Sequence, residues 1–295
     1  MADRLPRRPL LSVSIPARNC ASFIGAQLEA LAGQDYDGPW EVVIVDNGSS
    51  DGTADVVRRF NGLPKLTLVQ EPRRGIGRAR NAGVRASSGE WLVFTDADDV
   101  VGDGWLRAMA GALADHAFVA GAVESSKLNP DAAERFNPFA SPDDPGPQPV
   151  FDFLPFAPTG NMGLWRSAFS EVGGFHRQGG SGSDVDLSWR LQLAGYKLHF
   201  EPEAVIHYRF RESTGATFRQ SMFYAEAHPY LYSQFARSGM PRRPLREAWQ
   251  EAYQLARRGI QLPSLSVQRQ QRWLRDLGNM MGRFKGSLRY RTVYL

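Results

Sequence analysis

Short apolar runs alternate with helical patterns over the first hundred residues, and this alternation leaves few folds open. Leu11, Val13 and Ile15 mark a strand, and Ile24, Leu28 and Leu31 follow at helical spacing. Residues 41–45 form a buried-strand run. Asp51-Gly52-Thr53 then opens a helix with Val56, Val57 and Phe60 inward, and Asn61-Gly62 stops it. Residues 66–69 read as a third strand, 75–86 as a third helix and 91–95 as a fourth strand. Strands and helices in this order imply an α/β fold with a Rossmann-like, mostly parallel central sheet flanked by helices. Hydrophobic residues make up 42% of the 295, enough for such a core.

Ligands of open parallel sheets bind beyond the carboxyl ends of the strands. The first strand ends in Pro16-Ala17-Arg18-Asn19, the second in Asp46-Asn47-Gly48-Ser49-Ser50-Asp51-Gly52, the fourth in Asp96-Ala97-Asp98-Asp99. Asp96 and Asp98 flank one residue straight after an apolar strand, an arrangement able to face a hard divalent cation such as Mg²⁺ or Mn²⁺. Aspartate is also common in a polar turn after a strand. In Ser183-Asp184-Val185-Asp186-Leu187, Leu187, Leu191 and Ala194 are helically spaced. Ser183 then falls at the N-cap and Asp186 at the third helical position, as in a capping box. Asp184 has less structural reason to be there. His207 ends the apolar run Ala204-Val205-Ile206, 23 residues after Asp184. A lone histidine at such a place serves structure or a site.

Residues 130–158 hold eight prolines and read as a long loop. Beyond residue 240 the character changes: 241–295 carry 12 Lys and Arg against three acids, while the whole chain has a net charge of +4, so the first 240 residues are net acidic. Trp273, Leu277, Met280, Met281, Phe284 and Leu288 recur on one helical face among Arg272, Arg275, Arg283 and Lys285. Trp249, Tyr253, Ala256 and Ile260 make a shorter stripe. Two readings stay open: a basic amphipathic helix at an anionic membrane surface, or a helix packing its stripe on the catalytic domain or on a second copy. No nucleic-acid recognition motif accompanies the charge. The opening MADRLPRRPLLSVSIP lacks the apolar core of a cleavable leader, and no run approaches the ~18 apolar residues of a spanning helix. A single cysteine, Cys20, permits no internal disulfide. The expectation is a cytoplasmic chain, at most peripheral at the inner face of the membrane.

Four segments give the chain a recognisable likeness: SVSIPARNCASFIGAQLEAL, EVVIVDNGSSDGTADVV, GIGRARNAGVRASSGEWLVFTDADD, and GNMGLWRSAFSEVGGF followed by SDVDLSWRLQLAGYKLHFEPEAVIH. In order and spacing it resembles the inverting glycosyltransferases of family 2, with the GT-A fold. The resemblance implies a catalytic domain over 1–240, its nucleotide-binding half at about 10–122 and its acceptor half at about 123–240; the charge and the helical stripes add a basic helical C-terminal extension over 241–295. It implies a nucleotide-diphosphate sugar as donor, UDP-linked, a divalent cation (Mn²⁺ or Mg²⁺) and a hydroxyl acceptor. Pro16, Arg18 and Asn19 would line the nucleoside pocket with Asp46 as the base-contacting acid. Arg80 and Asn81 would lie near the nucleotide, Asp96 with Ala97 near the ribose, Asp98 and His207 at the metal. Asp184 would be the general base, with Asn161 and Asp186 on the acceptor side. Family members often carry a second aspartate where this chain has Asn47, acids after GGF where it has His176-Arg177, and Glu where it has Ser183. A nucleotidyltransferase is a competing reading, but PARNCASF lacks that class's Gly-rich loop with lysine. A non-catalytic nucleotide-sugar sensor or membrane scaffold is another, and turnover separates it from the enzyme.

Overall fold

All seven residues of β1 (Leu11–Ala17) are buried, so the strand is covered on both faces. The alternation of Leu11, Val13 and Ile15 with serines therefore does not mark a solvent face. Ser12 donates to Glu41 at 2.8 Å and accepts from the Gly89 N–H at 2.8 Å. Ser14 faces Gly83 of α3 (Ile76–Ala86), where a Cβ would lie 2.1 Å from the serine oxygen. The helix comes that close to the sheet because residue 83 has no side chain. The computed structural model describes residues 8–63, 65–129, 139–176, 180–210, 214–260 and 267–295.

Eight strands form one sheet in the order β3-β2-β1-β4-β7-β6-β8-β5. β2 (Trp40–Asp46) and β4 (Trp91–Thr95) flank β1 in parallel, and β3 (Leu66–Gln70) extends the parallel half beyond β2. α1 (Ile24–Ala32), α2 (Thr53–Arg59) and α3 make the crossovers. At β4 the direction reverses: β7 (Asn161–Trp165) pairs antiparallel with both β4 and β6 (Phe118–Glu124). β6 then runs parallel to β8 (His199–His207), and the two-residue β5 (Val100–Val101) closes antiparallel onto β8. α4 (Trp105–Asp115) precedes β6, α5 (Arg166–Glu171) follows β7, and α6 (Ser183–Leu193) precedes β8. The sheet is thus mixed, with the expected Rossmann-like order in its first half. Alternate residues of β4 feed two cores: Val93 packs with Ile24, Leu28, Trp105 and Met109, while Leu92 and Phe94 pack with Phe169, Phe175, Leu187 and Leu191.

The described residues gather into two units. One holds the sheet and α1–α6, running through Gln148, 155–176 and 183–210. The other comprises 149–154, 180–182, 214–260 and 267–295, with α7 (Thr214–Phe235), α8 (Leu245–Ile260) and α9 (Val267–Arg289). Within it α9 lies against α7 through Gly278, Gly282 and Gly286, spaced four apart. A Cβ on these would lie 2.7, 2.3 and 2.3 Å from the carbonyl oxygens of Phe218, Met222 and Glu226. Lys285 and Arg289 of α9 both donate to Glu226 at 2.7 Å. The apolar stripe is divided: Met281, Phe284 and Leu288 are 45, 57 and 68% exposed, while Trp273, Leu277 and Met280 are half-buried. Glycines are the face packed on α7, and Trp273 of the stripe packs on α8. No described helix is long and apolar enough to cross a membrane. Part of the Pro-rich loop, 130–138, lies outside the described residues, as does Arg177.

Candidate functional site

At the carboxyl ends of β1 and β2 two loops are laced together. Ala17 and Asp46 are register partners, with Pro16 buried beside Val45. Asn19, at φ +50, accepts from the Ser50 N–H at 2.8 Å and donates its own N–H to Ser49 at 3.0 Å. Asp46, 4% exposed, accepts from the Ser49 N–H at 2.9 Å. Arg18 is exposed beside them. Asn47 shows why an aspartate is not needed there. Its amide donates to the carbonyls of Glu71 (2.8 Å) and Arg73 (3.0 Å) and accepts from the Gly75 N–H at 2.9 Å. A carboxylate has no N–H to give the two carbonyls.

Arg80 joins the β4 end to the start of α6. Its guanidinium donates to Asp96 at 3.3 Å and to the Ser183 hydroxyl at 3.3 Å, lies 5.6 Å from the Phe175 ring centroid, and is 6% exposed. Asp184, next to Ser183, accepts from the Val185 N–H at 2.9 Å. Burial pushes its carboxyl up to about 6, against the opposing pull of Arg80 and the Val185 N–H, and nearby Asp96 adds to the rise. Asp96, Arg80 and Asp184 therefore belong to one electrostatic group. Asn81 is placed differently: it clasps the Phe175 backbone, donating to its carbonyl at 2.7 Å and accepting its N–H at 3.1 Å. It holds the Gly174-Phe175 turn.

A third group forms where β8 meets the segment after β4. Val100 is the register partner of His207, which brings residues 96–99 beside the end of β8. Arg209 donates its side chain to the Asp98 carbonyl and its backbone N–H to the Asp99 carboxylate, both at 3.0 Å. His207 Nδ1 lies 2.8 Å from Glu124 and Nε2 lies 3.1 Å from Lys127 Nζ. A lysine ammonium only donates, so Nε2 accepts and Nδ1–H is given to Glu124. Burial would raise the Glu124 carboxyl, but hydrogen bonds from the Ser126 hydroxyl, His207 and the backbone N–H groups of Ser126 and Lys127 outweigh it and hold it at about 2. A carboxylate on one imidazole nitrogen, with the other turned toward a cation, is how metal-bound histidines are held. Here Lys127 is the cation against Nε2. Among the described residues no three His, Cys, Asp or Glu side chains form a ready-made cluster. Glu124, Lys127 and Arg209 escaped the sequence reading. Glu124 was findable: it ends β6 in register with His207, but β6 itself had not been recognised as a strand.

Two residues expected on the acceptor side turn inward instead. Asn161 is 0% exposed. It accepts from the Trp105 indole at 2.8 Å and donates to the carbonyls of Ala122 (2.8 Å) and Ala204 (2.6 Å). It thereby fills the irregularity where the β6–β8 register shifts after Gly121, whose Cβ would lie 2.3 Å from the Asn161 amide nitrogen. Asp186, also 0% exposed, accepts from Arg190 at 3.0 and 2.6 Å. Arg190 in turn donates to the carbonyls of Val172 and Gly174. Both side chains serve hydrogen-bonded networks in the interior.

Solved structures share this architecture. The mannosyltransferase PcManGT from Pyrobaculum calidifontis, in complex with GDP-Man and Mn²⁺, aligns with a TM-score of 0.59 over 98% of this chain and 90% of that one, at 22% identity. S. aureus TarS 1–349 in complex with UDP-GlcNAc aligns with a TM-score of 0.57 over 97 and 93% of the two chains, at 17% identity. These likenesses concern the GT-A fold. In sequence, the chain is 33% identical over 205 residues to the glycosyltransferase AglE of Haloferax volcanii, spanning 67% of this chain and 66% of that protein. It is 30% identical over 222 residues to the pre-mycofactocin glycosyltransferase of Mycobacterium tuberculosis, spanning 72% of this chain and 46% of that protein. The alignments thus reach just under two thirds, and under half, of these relatives' lengths. Residues 12–173, more than half of the chain, match the model for glycosyl transferase family 2, and the protein belongs to that family.

Proposed function

We propose that the protein moves a sugar from a nucleoside diphosphate, UDP by family resemblance, to a hydroxyl acceptor with inversion at the anomeric carbon, in the making of a glycan, glycolipid or glycosylated metabolite. The observation that carries this reading is Asp184: a carboxyl brought to about 6 by burial, at the start of α6, in one electrostatic group with Arg80 and the β4-end acid Asp96. A base poised near neutrality suits the task of taking a proton from an acceptor hydroxyl as the new bond forms. Pro16, Arg18, Asn19 and Asp46 lie at the ends of β1 and β2, where the nucleoside would bind, with Asp96 and Ala97 toward its ribose. Asp98 and His207 would hold a Mn²⁺ or Mg²⁺ together with oxygens of the donor diphosphate. When bound, that ion neutralises charge on the departing diphosphate. Glu124 would keep His207 in the tautomer that offers Nε2. With base and leaving group on opposite faces of the sugar, a single displacement suffices and no sugar–enzyme bond is needed.

A donor screen tests this. UDP-, GDP- and dTDP-sugars are each paired with Mn²⁺ or Mg²⁺, and binding and slow release of nucleoside diphosphate are followed. The expected result is metal-dependent binding of one donor. Asp184→Asn should keep that binding and lose about 10²–10⁴ in turnover. Wild-type turnover in the variant removes Asp184 from the reaction. Folded protein that binds none of the donors overturns the donor class.

A further inference from the structure

Four large side chains on α8 face outward. Leu245, Trp249, Tyr253 and Ile260 are 47, 77, 68 and 85% exposed. With exposed Ala256 they fall within about 80° of arc on a helix of ~100° per residue, forming one stripe along the whole element. The side adjoining Leu245 is committed: Leu255 is buried and its carbonyl accepts from the Trp273 indole of α9 at 2.9 Å. The two acids of α8 are turned away from the stripe and paired, Glu247 with Arg243, and Glu251 with Arg243 and Arg283. Next to the stripe, on the Tyr253 side, stand exposed Arg246 and Arg257, and exposed Arg242 precedes the helix. α8 therefore presents apolar and aromatic side chains bordered by positive charge, with its negative charge neutralised elsewhere.

We propose that α8 lies in the headgroup region of an anionic lipid bilayer, with Leu245, Trp249, Tyr253 and Ile260 in the acyl boundary and Arg246 and Arg257 at the phosphates. The chemistry is that of an interfacial helix: Trp and Tyr prefer the water–hydrocarbon boundary, and arginine can reach headgroups while its stem lies against apolar surface. Charge favours this occupant, since 241–295 carry 12 basic residues against three acidic ones. A second copy of the chain fits less well. A helix of 16 residues is about 24 Å long and roughly 10 Å wide. Its face offers on the order of 250 Å², against about 800 Å² per partner in a stable dimer. Two such stripes would also bring Arg246 and Arg257 against their own copies. The inference places a membrane contact on α8, and it does not depend on the identity of the donor.

Vesicle flotation of the full chain tests it, with phosphatidylcholine vesicles with and without about one third phosphatidylglycerol. The expected result is flotation with the anionic vesicles, weakened by salt, and reduced at least about tenfold in partition by Trp249→Glu with Tyr253→Glu. Both positions are exposed, so circular dichroism and melting temperature should be unchanged. Arg246→Glu with Arg257→Glu should abolish the preference for anionic lipid while leaving the fold intact. Undiminished flotation of the Trp249/Tyr253 variant overturns the assignment to α8. Failure of the folded wild type to float with anionic vesicles overturns the proposal. So does a concentration-dependent dimer that the same variant dissolves, which would name a second copy as the occupant.

Discussion

Arg80 keeps two acids, Asp96 and Asp184, under one positive charge at the centre of the candidate site. Asp184 can take a proton only when ionised, so kcat/KM should rise with pH through about 6 and level off above it. Arg80 holds the Asp184 carboxyl down against burial. Arg80→Gln removes that restraint, and the ascending limb should move to higher pH; a limb that stays put assigns the base to another group. Asn47 makes a prediction of a different kind. Asn47→Asp replaces the amide nitrogen that donates two hydrogen bonds with a carboxylate oxygen facing the carbonyls of Glu71 and Arg73, and should cost about 1–3 kcal/mol in a urea titration. The acids at strand ends were legible because an aspartate following an apolar run stands out. Asn161 and Asp186 were not, since the polarity that suits an acceptor also suits a buried network. What separates the two roles is the partners: Trp105 and two carbonyls for Asn161, Arg190 for Asp186.

For the elements, α9 shows how hydropathy misleads. Its face against α7 is built of Gly278, Gly282 and Gly286, residues that carry no hydrophobic signal, while the C-terminal half of the apolar stripe that does carry one is exposed. On an open helix face, Gly→Ala gains up to about 1 kcal/mol. At residue 282 the new Cβ would lie 2.3 Å from the Met222 carbonyl oxygen, so Gly282→Ala should instead lose about 1–3 kcal/mol, read as a lower melting temperature. A gain would mean that the helices are not held at this spacing. The strands of the parallel half could be read because each carries a short apolar or alternating run between helical patterns, whether buried throughout like β1 or half-exposed like β3. β6 has the same character in Phe118–Glu124, but it follows α4 with only two residues between. β5 has two residues and no pattern to read. Neither the reversal at β4–β7 nor the shift after Gly121 is a local property, so neither could be read from periodicity.

Taken whole, the chain should respond to its donor as any protein does to a ligand that binds only the folded state. A donor and Mn²⁺ at about a hundredfold excess over Kd should add about 2.7 kcal/mol, a rise of several degrees in melting temperature. Asp98→Ala should erase the part of that rise that depends on the metal; an identical metal-dependent rise in the variant takes Asp98 out of the ion's shell. The helical unit draws on two short stretches numbered within the sheet-bearing part of the chain, 149–154 and 180–182. Phe151 packs with His228 and Tyr294, Phe153 with Phe235, and the Ser181 hydroxyl donates to the Phe223 carbonyl. The boundary between the two parts is therefore not a single point in the sequence. Severing the chain after Phe210 would remove the helices yet leave their loops behind, with two aromatic rings stripped of their neighbours and turned to water. A shortened protein of that kind would be prone to self-association, and its loss of activity would say nothing about which half performs the chemistry.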